Sequence, residues 1–190
     1  MNTRLLLISH AATAAMRAGR FPADDPLDAR GVAETQAAAA RMHLSIAEDA
    51  TAFTSPASCA RETATTLSLK ATVESRLADI DYGEWHGKRL ADLAAEAPQD
   101  LAAWTRDPDA AAHGGESFSQ LVKRVGTWLD ALSAPEEIVG ITHATVLRAA
   151  IIHALGASPA VFAHIEIAPL SLVELRRSVR GGEWVWRPAY

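Results

Sequence analysis

The chain has 190 residues, of which 49% are hydrophobic and 22% charged, with a formal net charge of −5. These values suit one globular domain over residues 1–190 with a sizeable core, and they argue against an electrostatic nucleic-acid surface or a polybasic membrane-binding surface. The apolar stretches are too short and interrupted to span a bilayer, and a single cysteine, Cys59, excludes an internal disulfide framework. Met1 to Arg4 runs straight into a strand-like segment without the regions of a signal peptide, so a cytoplasmic location is the default expectation.

Leu5-Leu6-Leu7-Ile8 is a short apolar run ending in Ser9-His10 and reads as a buried strand. Ala14 to Pro26 holds Gly19, Pro22, Asp24, Asp25 and Pro26 and reads as loop. A helix is expected over Asp28–Met42, a strand over Ala50–Thr54, and a helix over Ser58–Leu69 after the start signal Ser55-Pro56. Val73-Glu74 suggests a further short strand. Ile80 to Lys88 is a turn-rich loop, followed by short helices at Leu90–Glu96 and Asp100–Thr105 and another loop from Asp107 to Gly115. Ser117 to Leu132 is strongly periodic, with Phe118, Leu121, Val122, Val125, Leu129 and Leu132 on one face. Glu137–Thr142 reads as strand and Val146–Leu155 as helix. Ser171–Arg177 and Glu183–Arg187 bracket Arg180-Gly181-Gly182, a hairpin signal.

Alternating strands and helices predict a three-layer α/β sandwich whose mixed, mainly parallel sheet is flanked by helices. In such folds sites form at the carboxyl ends of strands, where both Ser9-His10 and Thr142-His143 are expected. Paired imidazoles can act as nucleophile and electrostatic partner, as acid and base, or as metal ligands.

Several segments, in chain order, resemble the histidine phosphatase superfamily, the phosphoglycerate mutase-like proteins. They are Leu6-Leu7-Ile8-Ser9-His10-Ala11-Ala12-Thr13; Arg20-Phe21 with Asp25-Pro26-Leu27 and Gly31; Thr54-Ser55-Pro56 with Ala60 and Thr63-Ala64; Leu77 to Gly87 around Gly83-x-Trp85-x-Gly87; Gly114-Gly115-Glu116-Ser117; and Ile141-Thr142-His143-Ala144 with Leu147-Arg148. The resemblance implies that His10 takes a phosphoryl group as a phosphohistidine and that His143 helps hold it. It implies Asp79 as proton donor, with Glu84 the runner-up. Ser9, Thr13, Arg20, Cys59, Thr142 and Ala144 then fall on the substrate side; Trp85 is expected in core packing, with the pocket wall as its second reading. No cofactor is expected; the implied partner is a small phosphorylated molecule. A homodimer contact through Trp184 and Trp186 is one reading of their alternation, packing the other. His113 is expected on a surface loop.

Two departures from the family pattern stand out. Ser9 occupies the place of the arginine before the nucleophile, and Cys59 that of the arginine in the Ser-Pro-Leu-x-Arg element. Arg61, two residues on, points about 200° around a helix from Cys59. Ala11 and Ala144 stand for glycines. Three readings follow. The first is phosphomonoester hydrolysis with charge supplied by Arg20, Arg17, Lys88 or Arg89. The second is a non-catalytic binding or interaction protein. The third is a pocket repurposed for a metal ion through His10, His143, Cys59 and Asp79.

Overall fold

The computed structural model describes residues 2–132, 137–178 and 182–187. Six strands, β1 (Asn2–Ser9), β2 (Thr51–Thr54), β3 (Thr72–Val73), β4 (Glu137–Thr142), β5 (Leu172–Ser178) and β6 (Trp184–Arg187), form one sheet in the order β3-β2-β4-β1-β5-β6. The pairs β2–β3, β2–β4 and β1–β4 are parallel; β1–β5 and β5–β6 are antiparallel. The sheet is therefore mixed. Strands β5 and β6 flank the expected hairpin turn, whose Arg180-Gly181 lies outside the described residues.

Strand β1 shows why the sheet has helices on both faces. Its side chains alternate, and Leu5 to Ser9 are buried. Leu5 and Leu7 belong to one core cluster, with Leu121, Val125, Trp128 and Ile152, whereas Leu6 and Ile8 belong to another, with Met42, Ala60 and Leu67. The first cluster is covered by α6 (Phe118–Ala131) and α7 (Ala144–Ala154). The second is covered by α2 (Ala29–His43) and α3 (Ser58–Thr66). Helix α6 starts at a capping box, Ser117 with Gln120, and buries Phe118, Leu121, Val125 and Leu129 of the expected stripe; Val122 and Leu132 are only partly buried, and Trp128 joins the core from outside it. The short helices α4 (Leu90–Glu96) and α5 (Pro98–Arg106) lie where two were expected.

The segment read as loop from Ala14 contains a one-turn helix, α1 (Ala14–Arg17). Thr13 caps it by accepting from Met16 N–H at 3.2 Å. His113 is not on the surface: it is 1% exposed, with its ring 5.0 Å from that of Trp85. Here two loops are stitched together by Glu84 N–H to His113 O (2.9 Å) and Glu116 N–H to Asp81 O (2.8 Å). A Cβ on Gly83 would lie 2.0 Å from His113 O, and one on Gly115 2.0 Å from Asp81 O, so both glycines serve close backbone approach.

Candidate active site

Register places the two histidines. In the parallel β1–β4 pair, Ser9 lies opposite Thr142. The next residues, His10 and His143, therefore leave the sheet side by side, and His10 N–H donates to Thr142 O at 2.8 Å. Their ring centroids are 4.9 Å apart, edge to face. His10 Nδ1 is 2.7 Å from Ala11 O. An N–H there fixes the tautomer and leaves Nε2 as the free lone pair. His143 Nε2 lies 2.8 Å from Ser55 Oγ, which also accepts from Ala57 N–H at 3.2 Å. His143 Nδ1 is buried with no hydrogen-bond partner among the described residues and lies 3.4 Å from Asp79 Oδ2.

Asp79 is held from three sides. Its Oδ1 accepts from Ile80 N–H at 2.8 Å and from the Thr145 hydroxyl, and its backbone carbonyl accepts from Arg124. Arg124 also pairs with both oxygens of Glu116.

His10 and His143 open onto a cavity of about 260 Å³ whose walls include Thr13, Met16, Asp24, Asp25, Cys59, Asp79, Asp81, Tyr82 and His86. An adjoining lobe of about 340 Å³ shares both histidines and Asp79 and adds Arg20, Trp104, Ala144 and Thr145. Among the described residues lining the inner lobe there is no lysine or arginine, and there are four aspartates, Asp24, Asp25, Asp79 and Asp81. Asp24, in the left-handed region at φ 60°, accepts from Ser58 N–H at 2.7 Å and Ser58 Oγ at 3.2 Å. A carboxylate thus already occupies the N-terminal end of α3, where an anionic ligand would otherwise be favoured.

Of the site residues expected from sequence, His10, His143, Asp79, Cys59 and Thr13 come together in the inner lobe, and Arg20 and Ala144 line the outer one. Ser9 and Thr142 line neither. Alternation along a strand turns them away from the imidazoles. Ser9 Oγ donates to Ala168 O at 2.7 Å and Thr142 Oγ1 to Leu77 O at 2.6 Å. Glu84 is exposed and lies outside both lobes. Trp85 lies behind the wall, packed on Phe21 and Trp104, and it is Trp104 that lines the outer lobe. Arg61 reaches back to Ser58 Oγ, and Arg17 pairs with Asp28. Asp24, Thr145 and Arg124 carry no motif signal; Ser55 belongs to the Thr54-Ser55-Pro56 element but was given no place in the site.

Burial sets the charge state of the floor. Desolvation lowers the His10 pKa from its usual value and lowers that of His143 to about 4, outweighing the attraction of Asp79 in each case. Desolvation, then Asp79, pushes the Cys59 thiol up to about 12. Unfolded, His143 titrates at 6.5. Between pH 6.5 and 4 the unfolded chain therefore binds a proton that the folded chain refuses, and stability falls as pH falls through that window. For a shift of this size the loss is on the order of 3 kcal/mol. His10 contributes with the same sign. His86, raised by the Pro22 carbonyl and Asp81, opposes it from a half-exposed site. Urea unfolding across this range should show the decline, and a folded His143→Gln variant should show a shallower one; equal slopes would mean that His143 is not the group being titrated.

The sequence model of the histidine phosphatase superfamily (branch 1) matches residues 5–187. The chain is 29% identical over 182 residues to a bifunctional protein of Mycobacterium tuberculosis, covering 90% of this chain and 50% of that protein. It thus spans half the length of that relative. It is 26% identical over 159 residues to phosphoserine phosphatase 1 of Hydrogenobacter thermophilus, covering 77% and 73% of the two chains. Among solved structures, a mycobacterial glucosyl-3-phosphoglycerate phosphatase complexed with VO3 superposes with a TM-score of 0.85 at 25% identity, covering 97% of each chain.

Proposed function

Because the chain belongs to the histidine phosphatase superfamily, branch 1, we propose that it is a divergent member whose pocket binds a ligand instead of turning over phosphomonoesters. The observation that carries this reading is the wall of the inner lobe: the imidazoles of His10, His86 and His143 and four aspartates, with no lysine or arginine among the described lining residues. His10 has what a nucleophile needs, an oriented ring with a free Nε2, and Asp79 lines the same cavity as the candidate acid for a leaving alkoxide. What is missing is the positive, multi-donor clamp for the equatorial oxygens of a transferring phosphoryl group. Each carboxylate within about 4 Å of a phosphate charge opposes its entry by up to ~4 kcal/mol at the effective dielectric of a protein surface.

The test is turnover of an aryl phosphate by the wild-type chain and by His10→Ala. The two should be indistinguishable; clear His10-dependent turnover would overturn the reading. One observation favours a second reading, that of a small-phosphoester phosphatase anchored by Arg20. That guanidinium lines the outer lobe, where it donates to Gly87 O at 3.1 Å. On that reading turnover is present and is lost in both His10→Ala and Arg20→Ala.

A further inference from the structure

We propose that the ligand of this pocket is a borderline-soft divalent cation of the zinc type, held by His10 Nε2, His143 Nδ1 and Cys59 Sγ, with Asp79 Oδ2 as fourth donor. The assignment rests on the ligand-pocket reading above and names the ligand. A ring nitrogen of each histidine and the Cys59 sulfur lie within 4.8 Å of one another, and all three residues are buried. A tetrahedral zinc needs such donors about 3.5 Å apart, so closure by about an ångström brings these three onto one ion.

The second and independent observation is the buried His143 Nδ1. It has no hydrogen-bond partner among the described residues, and a buried polar atom left so is costly. A cation bound there satisfies it. The Asp79 carboxylate oxygen 3.4 Å away, on a residue whose other oxygen is tied to Ile80 and Thr145, is within reach of the same ion.

The outer contacts suit the assignment. The second nitrogen of each ring faces an oxygen, Ala11 O at 2.7 Å for His10 and Ser55 Oγ at 2.8 Å for His143. Metal-bound histidines commonly use their other N–H in this way, which orients the ring. Charge agrees as well. A thiolate and a carboxylate neutralise a divalent ion between two neutral imidazoles, and Asp24, Asp25 and Asp81 line the same cavity. The donor set of nitrogen and sulfur favours zinc-type ions over magnesium or calcium.

The full-length chain, stripped with a chelator and dialysed, is titrated with Co²⁺ and separately with Zn²⁺. The expected result is one ion per chain, a thiolate-to-cobalt charge-transfer band with tetrahedral d–d intensity, and a rise in Tm with Zn²⁺. Cys59→Ala and His10→Ala each abolish the band. Ser55→Ala, which removes the oxygen behind His143 together with the acceptor of Ala57 N–H, keeps the band and weakens affinity by about 10–100-fold. Folding of each variant is checked by circular dichroism. No bound ion, or binding undiminished in folded Cys59→Ala and His10→Ala, overturns the assignment. Aryl phosphate turnover is measured on the same metal-free samples. Clear His10-dependent turnover overturns the ligand-pocket reading whatever the metal does; no turnover and no bound ion overturns the metal assignment alone.

Discussion

Cys59→Arg confers His10-dependent turnover of an aryl phosphate, about 10²-fold above the wild-type background, because removal of one preorganised donor typically costs ~10²–10³ in rate. Cys59 is the position from which a guanidinium can act. It lies in the first turn of α3, lines the inner lobe, and is 6% exposed. The added side chain has a cavity of about 260 Å³ to enter and carboxylates of Asp24 and Asp79 along the wall. It would offset their charge and offer a planar fork of donors to a phosphoryl group seated over His10. The gain must vanish in the double variant with His10→Ala. Ser9→Arg by itself should give none, since position 9 faces the carbonyls of Ala168 and Ser171 and an arginine there has no path to the imidazoles without moving the strand end. A folded Cys59→Arg protein with unchanged turnover would show that the missing guanidinium is not what limits chemistry here. The same substitution deletes a proposed metal ligand, so it should exchange affinity for a cation for affinity for an anion.

Arg124→Met lowers Tm by roughly 5–10 °C. All five guanidinium N–H groups of Arg124 are used: Nε and Nη2 on Glu116 at 2.9 and 2.6 Å, Nη1 on Arg76 O and Ala78 O at 2.8 and 3.1 Å, and Nη2 again on Asp79 O at 3.2 Å. Removing one partner of a buried ion pair costs about 3–5 kcal/mol, because the other charge stays desolvated. Here the side chains are 25% and 16% exposed, so roughly 2–3 kcal/mol remains after screening. In a chain of this size each kcal/mol moves Tm by about 2–4 °C. Arg124→Lys should recover little, since an ammonium does not reproduce the fork. Calorimetry on the three proteins decides the matter; a Tm for Arg124→Met within a degree of wild type would mean that the loop carrying Asp79 is held without this residue.

Arg124 also marks where sequence reading stops. It lies beside the apolar stripe of α6 and looks like any solvated helix charge; only folding brings Arg76, Ala78, Asp79 and Glu116 around it. Ser9 and Thr142 are a different case. Both were read as pocket residues through their motif neighbours, yet period-two alternation in β1 and β4 already placed them opposite His10 and His143, and the hydrogen bonds to Ala168 and Leu77 follow from that. Asp24 carried no pattern of its own, and Ser55 was read only as part of the Thr54-Ser55-Pro56 element. Their roles, capping α3 and backing His143, come from loops that meet only in the folded chain. His113 looked like loop because glycines follow it, and it is buried because those glycines let the Asp81 loop close over it.

Local chemistry along the chain was enough for most of the elements, the layered α/β architecture and the two strand-end histidines. These depend on short-range periodicity, turn residues and motif spacing. The sign of the pocket's charge was decided by folding alone. Asp24, Asp25, Asp79 and Asp81 are distributed over two loops that the sheet brings to one end, with Cys59 between them, while Arg17 and Arg61 turn outward to other partners. Electrostatic potential depends on distance in space, and sequence spacing across a crossover connection carries no information about that distance.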